Sequence, residues 1–165
     1  MTGTPQPGPA IQYREYRAGE YIEGEYKVLA VFGGKGKSGQ GVVYLVDHSD
    51  APAPFILKTY QLYSPDAKSQ FLKEAGAWVS LGFHPNLVPA YWVREFDRQI
   101  FIAAEYVPMD SEGRATLTDF IADGVQPLNA VCLWAAQFCD GLDHALKKGL
   151  TARGRNRVFQ AAVCG

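Results

Sequence analysis

At 165 residues, the chain is long enough for one ordinary domain and short for two. Hydrophobic residues make up 47% and charged residues 20%, which excludes a compositionally disordered chain. The net charge of −1 gives no reason to expect nucleic acid or an anionic membrane as a partner. No apolar run approaches the roughly 20 residues of a membrane span, and residues 1–10 lack the basic and apolar segments of a signal peptide, so we expect a cytoplasmic protein.

The first part of the chain predicts a leader followed by three strands. Residues 1–25 contain three prolines near their start and are expected to form a partly disordered leader. Residues 26–32, 42–46 and 55–63 are rich in aromatic and β-branched side chains and are separated by short links. This arrangement is typical of an antiparallel meander.

Residues 64–82 carry the strongest helix pattern of the chain. Ser64 suits the N-cap, Pro65 suits the first helical position and Asp66 favours the positive end of the helix dipole. Gly82 is placed to end the helix. The apolar residues at helical spacing, which predict the buried face, are Phe71, Leu72, Ala75, Trp78 and Val79.

The second part of the chain predicts a hairpin and two helices. Residues 87–96 and 99–107 read as strands that turn at Asp97 and Arg98. A short helix is predicted near residues 117–123 and a longer one over 128–148, which is apolar on nearly every side between Val131 and Cys139. Such a helix is normally buried, and the three cysteines, Cys132, Cys139 and Cys164, are expected to be buried and reduced.

The stretch GGKGKSGQGVVYLV at residues 33–46 admits several interpretations. A Walker phosphate loop would need glycine where Val31 stands and a helix after Ser38, whereas a strand-like run follows. A plain linker is disfavoured because strand-like runs flank it closely. A hairpin with a glycine-rich turn remains, either purely structural or covering a nucleotide.

Five motifs follow one another along the chain. They are Gly41-Val42-Val43-Tyr44-Leu45-Val46, Phe55-Ile56-Leu57-Lys58, Phe71-Leu72-Lys73-Glu74-Ala75, His84-Pro85-Asn86-Leu87-Val88 and Glu105-Tyr106-Val107. In this order they resemble the eukaryotic-type protein kinase family, most closely its serine/threonine members: the end of its glycine loop, its V-A-I-K strand, its paired glutamate, its H-P-N-I-V and its hinge. The resemblance covers about residues 26–150.

The resemblance implies an α+β fold with a small lobe over residues 26–107, made of a five-stranded antiparallel sheet and one helix. Residues 108–150 would follow the hinge and begin an incomplete helical large lobe, and residues 151–165 would form an atypical tail. ATP is the ligand that the family implies. Its binding residues would be Gly36, Ser38, Gly39, Gly41, Val43, Lys58, Glu74, Ala104, Glu105 and Val107.

The implied roles follow the family. Lys58 would bridge the α- and β-phosphates and pair with Glu74, and Val43 would pack over the adenine. Backbone groups of Glu105 and Val107 would bind the adenine edge, with Ala104 at the back of the pocket.

Two features of this sequence depart from the family pattern. Ile56 replaces the usual alanine and would crowd the adenine ring. The glycine loop has two registers, one matching Gly34, Gly36 and Gly39 and one matching Gly36, Ser38 and Gly41, and we prefer the second because Val43 then begins the strand correctly.

The catalytic part of the family pattern is missing. After Leu150 the chain contains neither H-R-D nor D-F-G, so the residues that orient the acceptor hydroxyl and hold magnesium are absent, and no metal ligand or catalytic residue is assigned. We therefore expect a truncated kinase-like domain that binds ATP, with phosphotransfer to protein Ser/Thr expected only of the family. The alternative is a non-catalytic regulatory or interaction module, with a protein partner or self-association through helix 128–148, where Leu133, Trp134, Phe138 and Leu142 would be exposed.

Overall fold

The computed structural model describes residues 14–33, 41–60 and 65–150, without the side chains of Tyr60 and residues 65–67. Its elements in chain order are six strands and three helices. The strands are β1 (Tyr21–Ile22), β2 (Tyr26–Gly33), β3 (Gly41–Asp47), β4 (Phe55–Tyr60), β5 (Ala90–Phe96) and β6 (Gln99–Glu105). The helices are α1 (Pro65–Ser80), α2 (Leu117–Ala122) and α3 (Leu128–Lys147), and the α+β class is confirmed.

The strands form one antiparallel sheet in the order β1-β2-β3-β4-β6-β5. The sheet has six strands rather than the predicted five, because Tyr21 and Ile22 pair with Lys27 and Tyr26. Part of the predicted leader therefore packs on the sheet: Tyr16 is 3% exposed, and its N–H donates to the Tyr44 hydroxyl oxygen at 3.3 Å.

The two faces of the sheet have separate cores because neighbouring residues of a strand point in opposite directions. One face packs against α1 through Ile56, Ile102 and Ala104. The other face buries Leu57, Phe101 and other side chains beneath the chain that precedes β2. Lys58, two residues after Ile56, belongs to the face that α1 covers.

Local sequence explains where the predicted elements turn and end. The β5–β6 hairpin turns at Asp97 and Arg98, as predicted, and both residues have the positive φ that a two-residue turn of this kind requires. Helix α1 begins at Pro65 and is followed by Gly82 at φ +67°, a conformation in which glycine carries no Cβ penalty. The predicted N-cap, Ser64, and the end of the third predicted strand, residues 61–63, lie outside the described residues.

Helix α3 lies where the sequence predicts it, but most of it is not buried. Cys132 and Cys139 are exposed, so the expectation of buried thiols is wrong for both; Cys164 lies outside the described residues. Only Gly141 and Ala145 of this helix are fully buried, because the described residues cover one side of it. None of the helices in the described ranges has the apolar length that a bilayer requires.

Candidate functional site

The sheet register places the predicted phosphate-binding lysine at the centre of the α1-covered face. Lys58 lies between Val43 of β3 and Ile102 of β6. One pleat further along the same face, Ile56 lies between Leu45 and Ala104. Directly opposed residues have Cβ atoms about 5 Å apart, so Val43, Lys58 and the Ile56–Ala104 pair form one continuous surface.

The pairing of Ile56 with Ala104 bears on the expected crowding of the adenine. Ile56 is larger than the alanine of the family pattern and is 9% exposed, whereas its cross-strand neighbour Ala104 is fully buried. The large side chain of Ile56 therefore lies beside the small side chain of Ala104.

Helix α1 carries Glu74 beside the residues that anchor it on the sheet. Phe71, Ala75 and Trp78 are 5%, 2% and 4% exposed and pack against the sheet. Glu74 is half-buried next to them, and its Oε1 accepts a hydrogen bond from Gln70 Nε2 at 2.9 Å.

The hinge residues follow directly from the last strand. The Glu105 N–H donates to the Pro89 carbonyl at 3.1 Å, which ties the end of β6 to the segment before β5. In the part of the chain that the structure describes, no hydrogen bond uses the Val107 N–H. The residue Val107 as a whole is half-buried.

The chain after the hinge is held by a cluster of charges around Arg114. The guanidinium contacts Asp110, Glu112 and Asp123 at 2.9, 3.1 and 2.9 Å. Hydrogen bonds from the Arg114 and Glu112 N–H groups and from the Arg114 side chain hold the pKa of Asp110 below its usual value. This cluster fixes the connection between the hinge and α2.

Helix α3 contacts the small lobe through the loop before β5. Asn86 Nδ2 donates to Asp140 Oδ2 at 2.8 Å, and the rings of His84 and His144 lie 4.5 Å apart. Sequence analysis missed this junction, since no local pattern links residues 54 positions apart. Asp140, which resembles an ordinary surface charge in the sequence, joins α3 to the small lobe.

The remaining predicted site residues divide into two groups. Gly36, Ser38 and Gly39 lie outside the described residues. Gly41 is the first residue of β3 and pairs with Tyr60.

Among residues 14–33, 41–60 and 65–150, no group of histidine, cysteine, aspartate or glutamate side chains is arranged to hold a metal ion.

Comparisons with known proteins agree with this arrangement. No protein-family model matches the chain. The serine/threonine-protein kinase PknI of Mycobacterium tuberculosis and its counterpart in Mycobacterium bovis are each 30% identical over 128 residues, which is 73% of this chain. The match spans only 21% of each relative's length.

Solved structures of the Mycobacterium tuberculosis PknI kinase domain are also similar. Two of them have TM-scores of 0.66 and 0.67 at 28% and 29% identity, and each match covers 84% of this chain. The chain spans 54% of each of these kinase domains. The similarity extends over the six-stranded sheet and the few helices that follow it.

Proposed function

Because this chain carries a protein kinase-like small lobe followed by the first part of a large lobe, we propose that it binds ATP between the glycine loop and the hinge. The observation that carries the proposal is the register of three strands, which sets Lys58 beside Val43 on the face covered by α1. Lys58 binds the α- and β-phosphates, and Glu74 orients the lysine. The Glu105 carbonyl and the Val107 N–H bind the adenine edge, with Val43 against the ring and Ala104 behind it.

We do not propose that residues 1–165 transfer the phosphoryl group of ATP. Transfer requires an aspartate that orients the acceptor hydroxyl and further side chains that hold magnesium. The sequence contains neither H-R-D nor D-F-G.

Replacing Lys58 with methionine is expected to weaken ATP binding at least tenfold, because methionine keeps the length of the side chain but removes the charge on the phosphates. Isothermal titration calorimetry, with ATP titrated into the purified chain, measures the affinity of each variant for ATP. Lys73→Met is the matched control, since Lys73 lies exposed on α1 and its charge is not part of the proposed site. Equal affinity of both variants would contradict the proposed site.

A double-mutant cycle tests the role of Glu74. If Glu74 acts by orienting Lys58, Glu74→Gln weakens ATP binding in the wild type but has little further effect once Lys58→Met is present. Additive losses would show that Glu74 acts independently of Lys58.

A second proposal is that α3 binds a protein partner or a second copy of the chain. Leu128 is 77% exposed. Leu133 and Phe138, which were expected to be exposed, are 57% and 48% exposed. Trp134 and Leu142 are half-buried, contrary to the expectation that they would be exposed; the Trp134 ring packs 5.3 Å from that of Phe120. The remaining exposed apolar surface favours association.

Light scattering tests this second proposal. We expect concentration-dependent self-association that the double variant Leu133→Lys, Phe138→Lys weakens at least fivefold, because two charges would have to be desolvated at the contact. Val125→Lys is the control, since Val125 is fully exposed in the loop before α3. If the wild-type chain stays monomeric and no partner protects α3 from solvent exchange, the proposal is wrong.

A further inference from the structure

An apolar concave surface, called here the α2–α3 groove, lies where α2, α3 and the loop before β5 meet. It has a volume of about 670 Å³. Leu87, which lines it, is 7% exposed, whereas Leu117, Val131 and Phe138 are 48%, 44% and 48% exposed. None of the described residues that line the groove carries a charge. The groove therefore offers apolar surface that the described part of the chain leaves uncovered.

The groove continues the face by which α3 packs on the small lobe. Trp134, Phe138, Gly141 and Ala145 follow one another at helical spacing, which places them along one side of α3. Gly141 and Ala145 are buried, but Trp134 and Phe138 line the groove. The described residues thus cover the second half of this stripe and leave Phe138 half exposed in the first half.

The end of α3 brings the chain back to the same stripe. The Gly149 N–H donates to the Leu146 carbonyl at 2.9 Å and the Leu150 N–H to the Ala145 carbonyl at 3.0 Å, with Gly149 at φ +85°. These two bonds form a Schellman motif, in which the residue after the glycine folds back on the helix. Leu150 is 6% exposed and packs in the same core cluster as Ala145. The described chain therefore ends beside the stripe that leads to the groove.

The tail, residues 151–165, lies outside the described residues, but its sequence suits this surface. Residues 151–157 contain three arginines and no acidic residue. Residues 158–163, VFQAAV, are apolar at five of six positions. An apolar segment thus follows a basic one.

The tail is long enough to reach the groove. An extended chain advances about 3.3 Å per residue, so Phe159 can lie up to about 30 Å from Leu150. Trp134 is about 20 Å from the end of α3, because a helix rises about 1.5 Å per residue. The apolar segment can therefore reach the whole length of the stripe.

A carboxylate lies beside the path that the basic segment would take. The side chain of Asp140 is 61% exposed and accepts a hydrogen bond from Asn86, which lines the groove. Asp140 is nearer the end of α3 than Phe138 is, just as the arginines precede the apolar segment. An arginine of the tail can thus pair with Asp140 while the apolar segment lies in the groove.

We propose that residues 158–163 of this chain bind in the α2–α3 groove, with the Phe159 ring against Phe138 and Trp134. A short connection gives such a segment an effective concentration of about millimolar order, so the tail fills the groove before a second copy at micromolar concentration does. Leu128 and Leu133 do not line the groove and stay available for the association proposed above. No described residue of the proposed ATP site lines the groove, so the inference does not rest on ATP binding.

Hydrogen exchange of the full chain, followed by mass spectrometry, tests the proposal. Phe159→Asp is expected to raise the exchange rates of residues 117–122 and 131–138 about fivefold, because a carboxylate is costly to bury in an apolar groove. Gln160→Asp is the matched control, since it adds the same charge one position away and removes no apolar side chain. Equal exchange in the wild type and Phe159→Asp, or an equal rise in both variants, would overturn the proposal.

Substitutions in the groove test the contact from its other side. Val131→Asp should raise the exchange of residues 117–122, whereas Leu133→Asp should not, since Leu133 is exposed on α3 without lining the groove. Added to Phe159→Asp, Val131→Asp should have little further effect, because both variants remove the same contact. Additive rises in exchange would show that Val131 and Phe159 act at separate places, and the proposal would be wrong.

Dilution separates the tail from a second copy of the chain. A segment of the same chain protects the groove equally at every protein concentration, whereas protection by a second copy is lost on dilution. Unchanged exchange of residues 117–122 and 131–138 over about a hundredfold dilution supports the proposal. Several-fold faster exchange in the dilute sample would assign the groove to a second copy and overturn it.

Discussion

Replacing Trp78 with alanine is expected to lower the free energy of unfolding by about 4 kcal/mol, as for other large-to-small changes in cores. Trp78 is 4% exposed and packs between α1 and the sheet, and its Nε1–H donates to the Val88 carbonyl at 2.9 Å. Since whole domains are stable by only about 5–15 kcal/mol, much of the protein would unfold. Urea denaturation followed by far-UV circular dichroism measures the change.

Trp78→Phe separates packing from hydrogen bonding. Phenylalanine retains most of the apolar volume but leaves the Val88 carbonyl without its donor, so we expect a loss of about 1–2 kcal/mol. Glu74 lies one turn before Trp78, and ATP affinity should therefore fall in the alanine variant even where it remains folded. A loss in Trp78→Ala no larger than that in Trp78→Phe would show that the helix is not anchored by this side chain.

Replacing Gly141 with alanine is expected to destabilise the protein by about 2 kcal/mol, although alanine is the better helix former. An added Cβ would lie 2.9 Å from the Asn86 carbonyl oxygen and 3.1 Å from Leu87 Cδ2. The backbone oxygen cannot move without shifting the loop that joins α3 to the small lobe. Differential scanning calorimetry would show a lower melting temperature.

Gly76 offers a matched control within the same chain. It also lies inside a helix, but nothing lies within 4 Å of a Cβ built there. Gly76→Ala should therefore stabilise the protein by about 1 kcal/mol. If both substitutions stabilise the protein, the close approach of α3 to Asn86 does not exist in solution.

Most elements of the fold could be predicted because their signals are local. Strand composition, Pro65, Gly82 and the pair Asp97–Arg98 each act within a few residues of the structure that they determine. The two-residue strand β1 has no periodicity of its own. It exists because Tyr21 and Ile22 pair with β2, and a single sequence carries little information about such pairing.

The residues of the candidate site stay a prediction. The order of five motifs pointed to Lys58, Glu74 and the hinge, and the strand register places Lys58 beside Val43 on one face of the sheet. ATP binding is a proposal. The junction of Asn86 with Asp140 was missed. It forms between residues far apart in the sequence, and each of them alone resembles an ordinary surface residue.

The sequence by itself determined the class of the fold, the approximate positions of most helices and strands and the likeness to protein kinases, because propensity, capping and motif order are properties of short segments. Only the tertiary structure decided which surfaces are covered. The apolar pattern of α3 predicted buried thiols, yet Cys132 and Cys139 are exposed, because burial depends on what packs against a helix and not on its own composition. For the same reason, the pairing of Ile56 with Ala104 appeared only once the strands were in register.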